Sequence, residues 1–408
     1  MKCRHCKAEL TLRFIDLGTA PPSNAYLSLE QLKALEKWFP LRVLVCTNCW
    51  LAQTEDYAGA EELFAPDYAY FSSYSTTWLA HAKEYVAKIA ERFNLNRNSM
   101  VVEIAANDGY LLQYVKERGI PCYGVEPTAS TAVAARAKGI YIIEEFFGVS
   151  LAERLAKDGR QADLIIANNV LAHVPDINGF VSGFARLLKP RGVATFEFPH
   201  LLRMVAESQF DTIYHEHYSY LSLTAVDSIL RANGIEVFDV EEIPTHGGSL
   251  RVYAQRKATG KNPIHNRVAG VLFDEADAGI SSADYYQVFQ TKANQIKNDF
   301  LVFLIQAWSS GKQVIGYGAA AKGNTLLNFA GVKCDLIPYV VDRNPAKQGL
   351  FLPGSRIPIE HPDKIRQTKP EYVFILPWNI KEEVMEQMSF IREWGGKFVI
   401  AVPDVQVL

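Results

Sequence analysis

Two CxxC pairs, Cys3/Cys6 and Cys46/Cys49, constrain the start of this chain more than any other feature. Two residues between cysteines let both sulfurs turn inward from a tight knuckle, so each pair can chelate one metal ion. Two pairs complete a tetrahedral set of four thiolates for zinc. Four protein ligands leave no open coordination position, which predicts a structural zinc rather than a catalytic one. The gap between the pairs is longer than in an ordinary zinc ribbon. It holds a loop, Pro21-Pro22-Ser23-Asn24, and a stretch from Leu29 to Lys37 that reads as a helix. The bland alternatives are two unconnected reduced pairs or a redox CxxC. Cys122 and Cys334 fall in apparent strands and read as core residues.

A chain of 408 residues with 49% hydrophobic and 21% charged residues has material for two or three ordinary cores. The net charge of -3 implies no strongly basic surface, which excludes a dedicated nucleic-acid binder. The longest apolar runs, such as Leu301 to Ile305, are far too short to span a bilayer. The N-terminus carries charge and two cysteines where a leader peptide needs an apolar stretch. The expectation is a cytoplasmic chain with reduced thiols and no membrane partner.

From about Trp78 helix and strand alternate. Met100 to Ile104 reads as a buried parallel strand, followed by strands at Pro121 to Glu126, Tyr141 to Ile143, Ala162 to Ala167 and Gly192 to Phe198. This is a doubly wound α/β domain, whose ligand belongs over the carboxyl ends of the strands. The turn after the first strand, Glu103-Ile-Ala-Ala-Asn-Asp-Gly109, must let a ligand approach the backbone, which favours Ala105, Ala106 and Gly109. Alanines and Asn107-Asp108 stand there in place of a glycine-rich ExGxGxG. Glu126, ending the second strand, can accept both hydroxyls of a ribose. Glu103 is compatible with a positive sulfonium ligand. A generic nucleotide-binding domain is the competing reading.

The densest cluster of titratable groups is Tyr214-His215-Glu216-His217-Tyr218. Histidine takes and returns protons near neutral pH, a carboxylate can orient an imidazole, and tyrosines can donate to an oxyanion. That inventory suits proton abstraction beside a carbonyl. His173, after the fourth strand, would lie over the same strand ends. Satisfied structural histidines are the bland reading, and metal binding by HxH the weaker one. An aromatic run, Tyr68-Ala-Tyr70-Phe71-Ser-Ser-Tyr74, reads mainly as interdomain packing, with one or two hydroxyls at the mouth of the site.

A helix-prone stretch from Ala283 to Trp308 leads to a second α/β unit. There Gly316-Tyr-Gly318-Ala-Ala-Ala321 follows a strand and opens a helix, and Asp342 ends the next strand. Free N–H groups at a helix start cradle phosphates, with Lys322 and Asn324 in the first turns. The pyrophosphate of either NAD or a nucleotide sugar fits this pattern. Thr245-His-Gly-Gly-Ser249-Leu-Arg251 offers further N–H groups and a cation.

Taken in order, the CxxC pairs, PPSNAYL, EIAANDGYLLQ, NNVLAHVPD, FEFPH, YHEHYSYLS, THGGSLRVY, GYGAAAKGNTLLN and LPWN resemble the C-methyltransferases that build branched deoxysugars on nucleotide carriers. The resemblance covers nearly the whole chain. It implies an α/β protein of three domains: a small zinc-binding N-terminal domain (1–75), a central Rossmann-like S-adenosylmethionine methyltransferase domain (76–255) and, after a helical connector (256–308), a C-terminal Rossmann-like domain (309–408). The last would bind a sugar nucleotide rather than NAD. The resemblance also implies C-3 methylation of a nucleotide-linked 4-keto-6-deoxysugar, by a monomer. His217 matches the base, with Tyr214, Glu216 and His173 in the same site, joined by one tyrosine of the aromatic run, Tyr70 being the choice among Tyr68, Tyr70 and Tyr74, which the resemblance leaves open. Glu103, Ala105, Asn107, Gly109, Glu126 and Asn168 make the donor set. Asn24, Glu197, His215, Arg251, Lys322 and Asn324 make the substrate set. The nucleotide base and the substituent at C-3 stay open. An NAD-dependent sugar-nucleotide oxidoreductase and a sugar O-methyltransferase are the rival activities.

Overall fold

Val101–Ile104 is buried at every position, as its unbroken apolar run requires of a strand covered on both faces. It sits at the middle of a seven-stranded sheet. The computed structural model describes residues 1–57 and 71–408. With strands numbered along the chain, this sheet comprises β4 (Val101–Ile104), β5 (Cys122–Val125), β6 (Ile142–Ile143), β7 (Ala162–Asn168), β8 (Leu188–Pro199), β10 (Ile235–Ile243) and β11 (Ser249–Arg256). Its order is β10-β11-β8-β7-β4-β5-β6. β4 to β8 run parallel, and β11 is inserted antiparallel beside β8. The helices 76–92, 112–117, 129–137, 149–157, 177–187 and 223–232 cover the two faces. The strand order reverses beside β4, so a crevice opens at the carboxyl ends of β4 and β7.

A second sheet follows in the C-terminal third. It contains β12 (Val314–Tyr317), β13 (Val340–Val341), β14 (Ile359–Glu360), β15 (Tyr372–Ile375), β16 (Lys397–Ile400) and β17 (Gln406–Val407), in the order β14-β13-β12-β15-β16-β17. All pairings except β16 with β17 are parallel. Its switch point lies between β12 and β15. The helix-prone stretch from Ala283 to Trp308 forms two helices, Ala283–Gln287 and Phe289–Ser309. The longer one buries Phe289, Ala293, Ile296, Phe300, Leu304 and Ala307, a stripe at three- and four-residue spacing.

The cysteine-bearing segment forms an antiparallel sheet of β1 (Leu12–Ala20), β2 (Phe39–Val45), β3 (Ala52–Thr54) and β9 (Ser219–Tyr220). β9 comes from the far side of the central domain's sequence and directly follows the Tyr214–Tyr218 cluster. On the opposite edge Phe14 stacks on Phe289 at 4.7 Å and meets Tyr286 edge-on at 5.3 Å. This module therefore shares one core with the C-terminal unit and one sheet with the strand that follows the Tyr214–Tyr218 cluster. Truncating a fully buried ring such as Phe14 to alanine costs about 3–5 kcal/mol.

Two local expectations are corrected. Leu29 to Lys37 contains only a turn of 3-10 helix, Gln31–Lys33, with no buried residue. Leu29 and Leu35 face solvent, so no apolar stripe rewards a helix, and Glu36 instead accepts from Gly354 N–H on the C-terminal unit. Cys334 lies exposed in the turn after helix 321–330 rather than in a core strand. Among the described residues no helix is long and apolar enough to cross a membrane.

Candidate active site

The cysteine sulfurs come together as their spacing predicts. All four lie within 4.8 Å of one another, with Cys3 Sγ 3.6 Å from Cys49 Sγ and Cys6 Sγ 3.4 Å from Cys46 Sγ. Tetrahedral zinc thiolates sit about 3.8 Å apart, from Zn–S bonds of about 2.3 Å, so the donor set fits zinc. Lys7 and Trp50 close the two knuckles with left-handed backbones, each N–H returning to Cys3 O and Cys46 O. The knot is tied to the Tyr214–Tyr218 segment. Beyond the β3–β9 pairing, Thr54 Oγ1 donates to His217 O at 2.9 Å, and Thr54 N–H to Tyr218 O at 3.2 Å.

One cavity of about 1220 Å³ joins the carboxyl ends of the central and C-terminal sheets. On the central side the turn after β4 presents Ala105 and Asn107 with φ of 54° and 48°. Asn107 N–H donates to Glu126 Oε2 and Thr128 N–H to Glu126 Oε1, both at 2.9 Å. Burial raises the Glu126 carboxyl against these bonds, leaving it a ready partner for hydroxyls or a cation. Asn168 lines the same wall. Glu103 does not line the cavity. It lies buried below the turn, where desolvation pushes its carboxyl well above the usual range. Gly109 is also off the wall. A Cβ there would meet Ile140 Cδ1 at 2.5 Å, so its role is to let helix 129–137 pack close.

His217, Tyr214 and His173 line the cavity between the sheets. His217 Nδ1 lies 2.8 Å from Thr212 O. A carbonyl only accepts, so Nδ1 carries the proton and Nε2 keeps the lone pair. Desolvation, with His173 adding to it, pushes His217 well below its ordinary value, so the ring is neutral and able to accept. His173 Nδ1 is likewise 2.8 Å from Glu216 O, and burial pushes His173 down to about 4. The Tyr214 ring lies 4.0 Å from that of His217. Glu216 is off the wall. Asn24 donates to it from both backbone (3.3 Å) and side chain (3.0 Å), and burial raises its carboxyl to about 7. Asn24 itself lines the cavity. Tyr70, like Tyr68, lies outside the described residues, and Tyr74 of the same run reaches the cavity.

On the C-terminal side, Gly318, Ala320, Ala321, Lys322, Asp342, Arg343, Asn344, Lys347 and Asn379 are among the wall residues. Lys322 Nζ donates to Asn379 Oδ1 at 2.6 Å and lies 4.4 Å over the Trp378 ring. Burial pushes this lysine down to about 8, countered by Asp211. Asp342 accepts from Ala319 N–H at 2.7 Å and Asn344 N–H at 2.8 Å, with Lys347 at 3.8 Å. Tyr26 and Lys347 both donate to Ala319 O, at 2.6 and 2.8 Å.

Four residues of the expected substrate set are elsewhere. Arg251 is buried against Glu197 (2.9 Å) and Glu241 (3.3 Å), so its charge is already matched. Glu197 also takes both bonds of His81. Burial would raise its carboxyl, but His81 and Arg251 outweigh that and hold it low. His215 bonds Pro40 O at 3.2 Å, and Asn324 donates to Ser23 O at 2.7 Å, fastening the Pro21–Asn24 loop to helix 321–330. Sequence reasoning did not single out Trp78, Asn169 or His246 as wall residues. Asn169 and His246 sit in motifs it had marked, but their left-handed backbones carry no signature in residue types.

Residues 78–240 match the family described as methyltransferase domain, and a central sheet of this order with this cavity is that of an S-adenosylmethionine-dependent methyltransferase. Residues 244–403 match "C-methyltransferase C-terminal domain" and residues 3–64 "Putative zinc binding domain". The C-methyltransferase NovU of Streptomyces niveus is 32% identical over 407 residues, covering 100% of this chain and 96% of that protein. The chain belongs to this C-methyltransferase family. A ubiquinone biosynthesis O-methyltransferase of Bartonella tribocorum is 28% identical over 130 residues, 29% of this chain and 51% of that protein. Among solved structures, the magnesium protoporphyrin IX methyltransferase of Synechocystis with bound SAH superposes with a TM-score of 0.35 and 18% identity, over 44% of this chain and 83% of that one.

Proposed function

We propose that the enzyme methylates C-3 of a nucleotide-linked 4-keto-6-deoxysugar, with His217 as the base. The observation that carries this is the neutral His217 ring on the wall of a cavity that runs from the Glu126 turn to the Lys322 turn. A sugar carbon is no nucleophile until it is deprotonated, and a neighbouring ketone makes that possible. S-adenosylmethionine, with its ribose toward Glu126, supplies an electrophilic methyl group. Nε2 of His217 takes the proton from C-3, and the bonding pair passes to the ketone oxygen as an enolate. The pair returns through C-3 to form the new C–C bond as the S–C bond breaks, leaving S-adenosylhomocysteine. No metal is needed on this path.

The pyrophosphate of the carrier suits Lys322, whose charge an anion would hold in place. The enzyme acts as a monomer in this reading, with the domain division 1–75, 76–255, 256–308 and 309–408. Incubating dTDP-, GDP- and CDP-linked 4-keto-6-deoxysugars with the methyl donor tests the reading. A product with a methyl singlet on a quaternary carbon is expected. A methoxy signal would instead establish O-methylation, and no product from any of the three would defeat the substrate class.

A further inference from the structure

The turn Thr245–Gly247 between β10 and β11 holds a histidine in a conformation that histidine rarely adopts. His246 has φ 55° and ψ 21°. The turn has little room to relax, because a Cβ on Gly247 would stand 2.6 Å from the Trp378 ring and 2.5 Å from Gln209 Nε2. Gln209 Nε2 donates to Gly247 O at 2.7 Å, and Thr245 Oγ1 to Glu197 Oε1 at 3.2 Å. Such strain persists only where the surroundings over-determine it, and it concentrates at functional sites.

What the strained turn fixes is the aim of one ring. Asn169, itself at φ 55°, places Nδ2 3.2 Å from His246 Nε2. With the Asn169 amide donating through Nδ2 and its Oδ1 left without a partner, Nε2 accepts and the ring proton sits on Nδ1. The contact with Asn169 is the one hydrogen bond His246 makes among the described residues, which leaves Nδ1 without a partner there, and the residue lines the cavity. The Trp78 ring backs the imidazole at 5.1 Å. Burial, with Lys322 adding to it, pushes His246 down to about 4, so the ring is neutral at physiological pH.

His246 and His217 are thus the same tautomer used in opposite ways. Thr212 O occupies the N–H of His217 and leaves its lone pair. Asn169 occupies the lone pair of His246 and leaves its N–H. We propose that His246 is a catalytic hydrogen-bond donor, its Nδ1–H binding the oxygen on which negative charge develops as His217 takes the proton from the neighbouring carbon. This rests on the enolate reading above. The carbon-bound proton goes to His217 Nε2, the bonding pair moves onto the oxygen, and His246 shares its own proton without transferring it. A fixed neutral donor stabilises that charge without reorganising when it forms.

The test uses the full zinc-loaded chain. ¹⁵N NMR should show His246 protonated on Nδ1 and bare on Nε2 from pH 6 to 8. His246→Ala should lower both methyl transfer and solvent-deuterium exchange at the sugar carbon by about 10²-fold, with donor affinity unchanged. His246→Asn tolerates the left-handed backbone and keeps an amide donor, and should regain about tenfold of that loss. If His246→Ala does not fold, Asn169→Gly decides instead. It suits the same backbone but releases Nε2, and should cost about tenfold in both rates. Wild-type rates in either variant, or a proton found on Nε2, overturn the proposal. A methylated product that keeps the sugar's C-3 hydrogen would instead bring down the enolate reading, and the donor role with it.

Discussion

The central and C-terminal sheets build the same cradle twice and surround it with opposite charge. In each, the acid ending the second strand accepts one N–H from the turn after the first strand and one from two residues further on. Glu126 takes Asn107 and Thr128, and Asp342 takes Ala319 and Asn344. Beside Glu126 stand the carboxyls of Glu103 and Asp108, whereas Lys347 lies 3.8 Å from Asp342, and Lys322 and Arg343 share the same wall. The first setting favours a cation such as a sulfonium, and the second an anion such as a pyrophosphate. The turn of the second cradle is further held by Tyr26 from the zinc-binding module. The two turns therefore share a backbone device and differ in the charges beside it.

The base between the two cradles should give the largest effect. His217→Asn is expected to lower kcat by about 10²- to 10⁴-fold while both ligands still bind, as calorimetry with S-adenosylhomocysteine would show. Activity near wild type would move the base to His173 or Tyr214, which share the cavity wall. Next, Cys3→Ser with Cys46→Ser should abolish bound zinc by elemental analysis and lower Tm by roughly 5–10 °C. Because β3 pairs with β9 and Thr54 holds His217 O, kcat should fall as well. A drop in Tm alone would show that the knot is only a staple.

The two acids can be set against each other directly. Glu126→Gln removes a charged acceptor and should weaken S-adenosylhomocysteine binding by about 10- to 100-fold, from about 1.5–3 kcal/mol. Asp342→Asn should leave that affinity unchanged. Equal losses in the two variants would end the division of labour between the cradles. Lys322→Ala should raise KM for the nucleotide sugar about tenfold with kcat little changed, because a phosphate contact is present equally before and during reaction.

The smallest effect is the pH profile. Lys322 titrates at about 8, and only its protonated form attracts phosphate, so kcat/KM should decline as pH rises through 8. His217 stays in its accepting form down to well below its ordinary value, so its titration should give no acid limb between pH 8 and 6. A steep loss of kcat/KM between 7 and 6 would show that the base ionises far more easily than its buried site implies.

Much of this was readable from residue order. The spacing of Cys3, Cys6, Cys46 and Cys49, the apolar runs of β4 and β12, and the small-residue turns that follow them each depend on local rules of chelation and backbone geometry. Leu29 to Lys37 misled because a helix there would have had no face to bury, and that is a property of its neighbours. Arg251 resembled a phosphate ligand for a similar reason. A guanidinium in a glycine-rich motif is equally consistent with a free cation and with one already paired to Glu197 and Glu241.

The sequence by itself determined the ligand types, the α/β alternation and the residues able to move a proton, since these follow from chemistry within a few positions. Only the tertiary structure decided which of those residues face the cavity and in what protonation state. The tautomers of His217 and His246 are set by Thr212 and by Asn169, the latter 77 positions away in the chain. Their neutrality comes from desolvation, which depends on everything packed around them. The β3–β9 pairing likewise brings the zinc knot to the base through a contact between Ala52 and Tyr220 that no local pattern encodes.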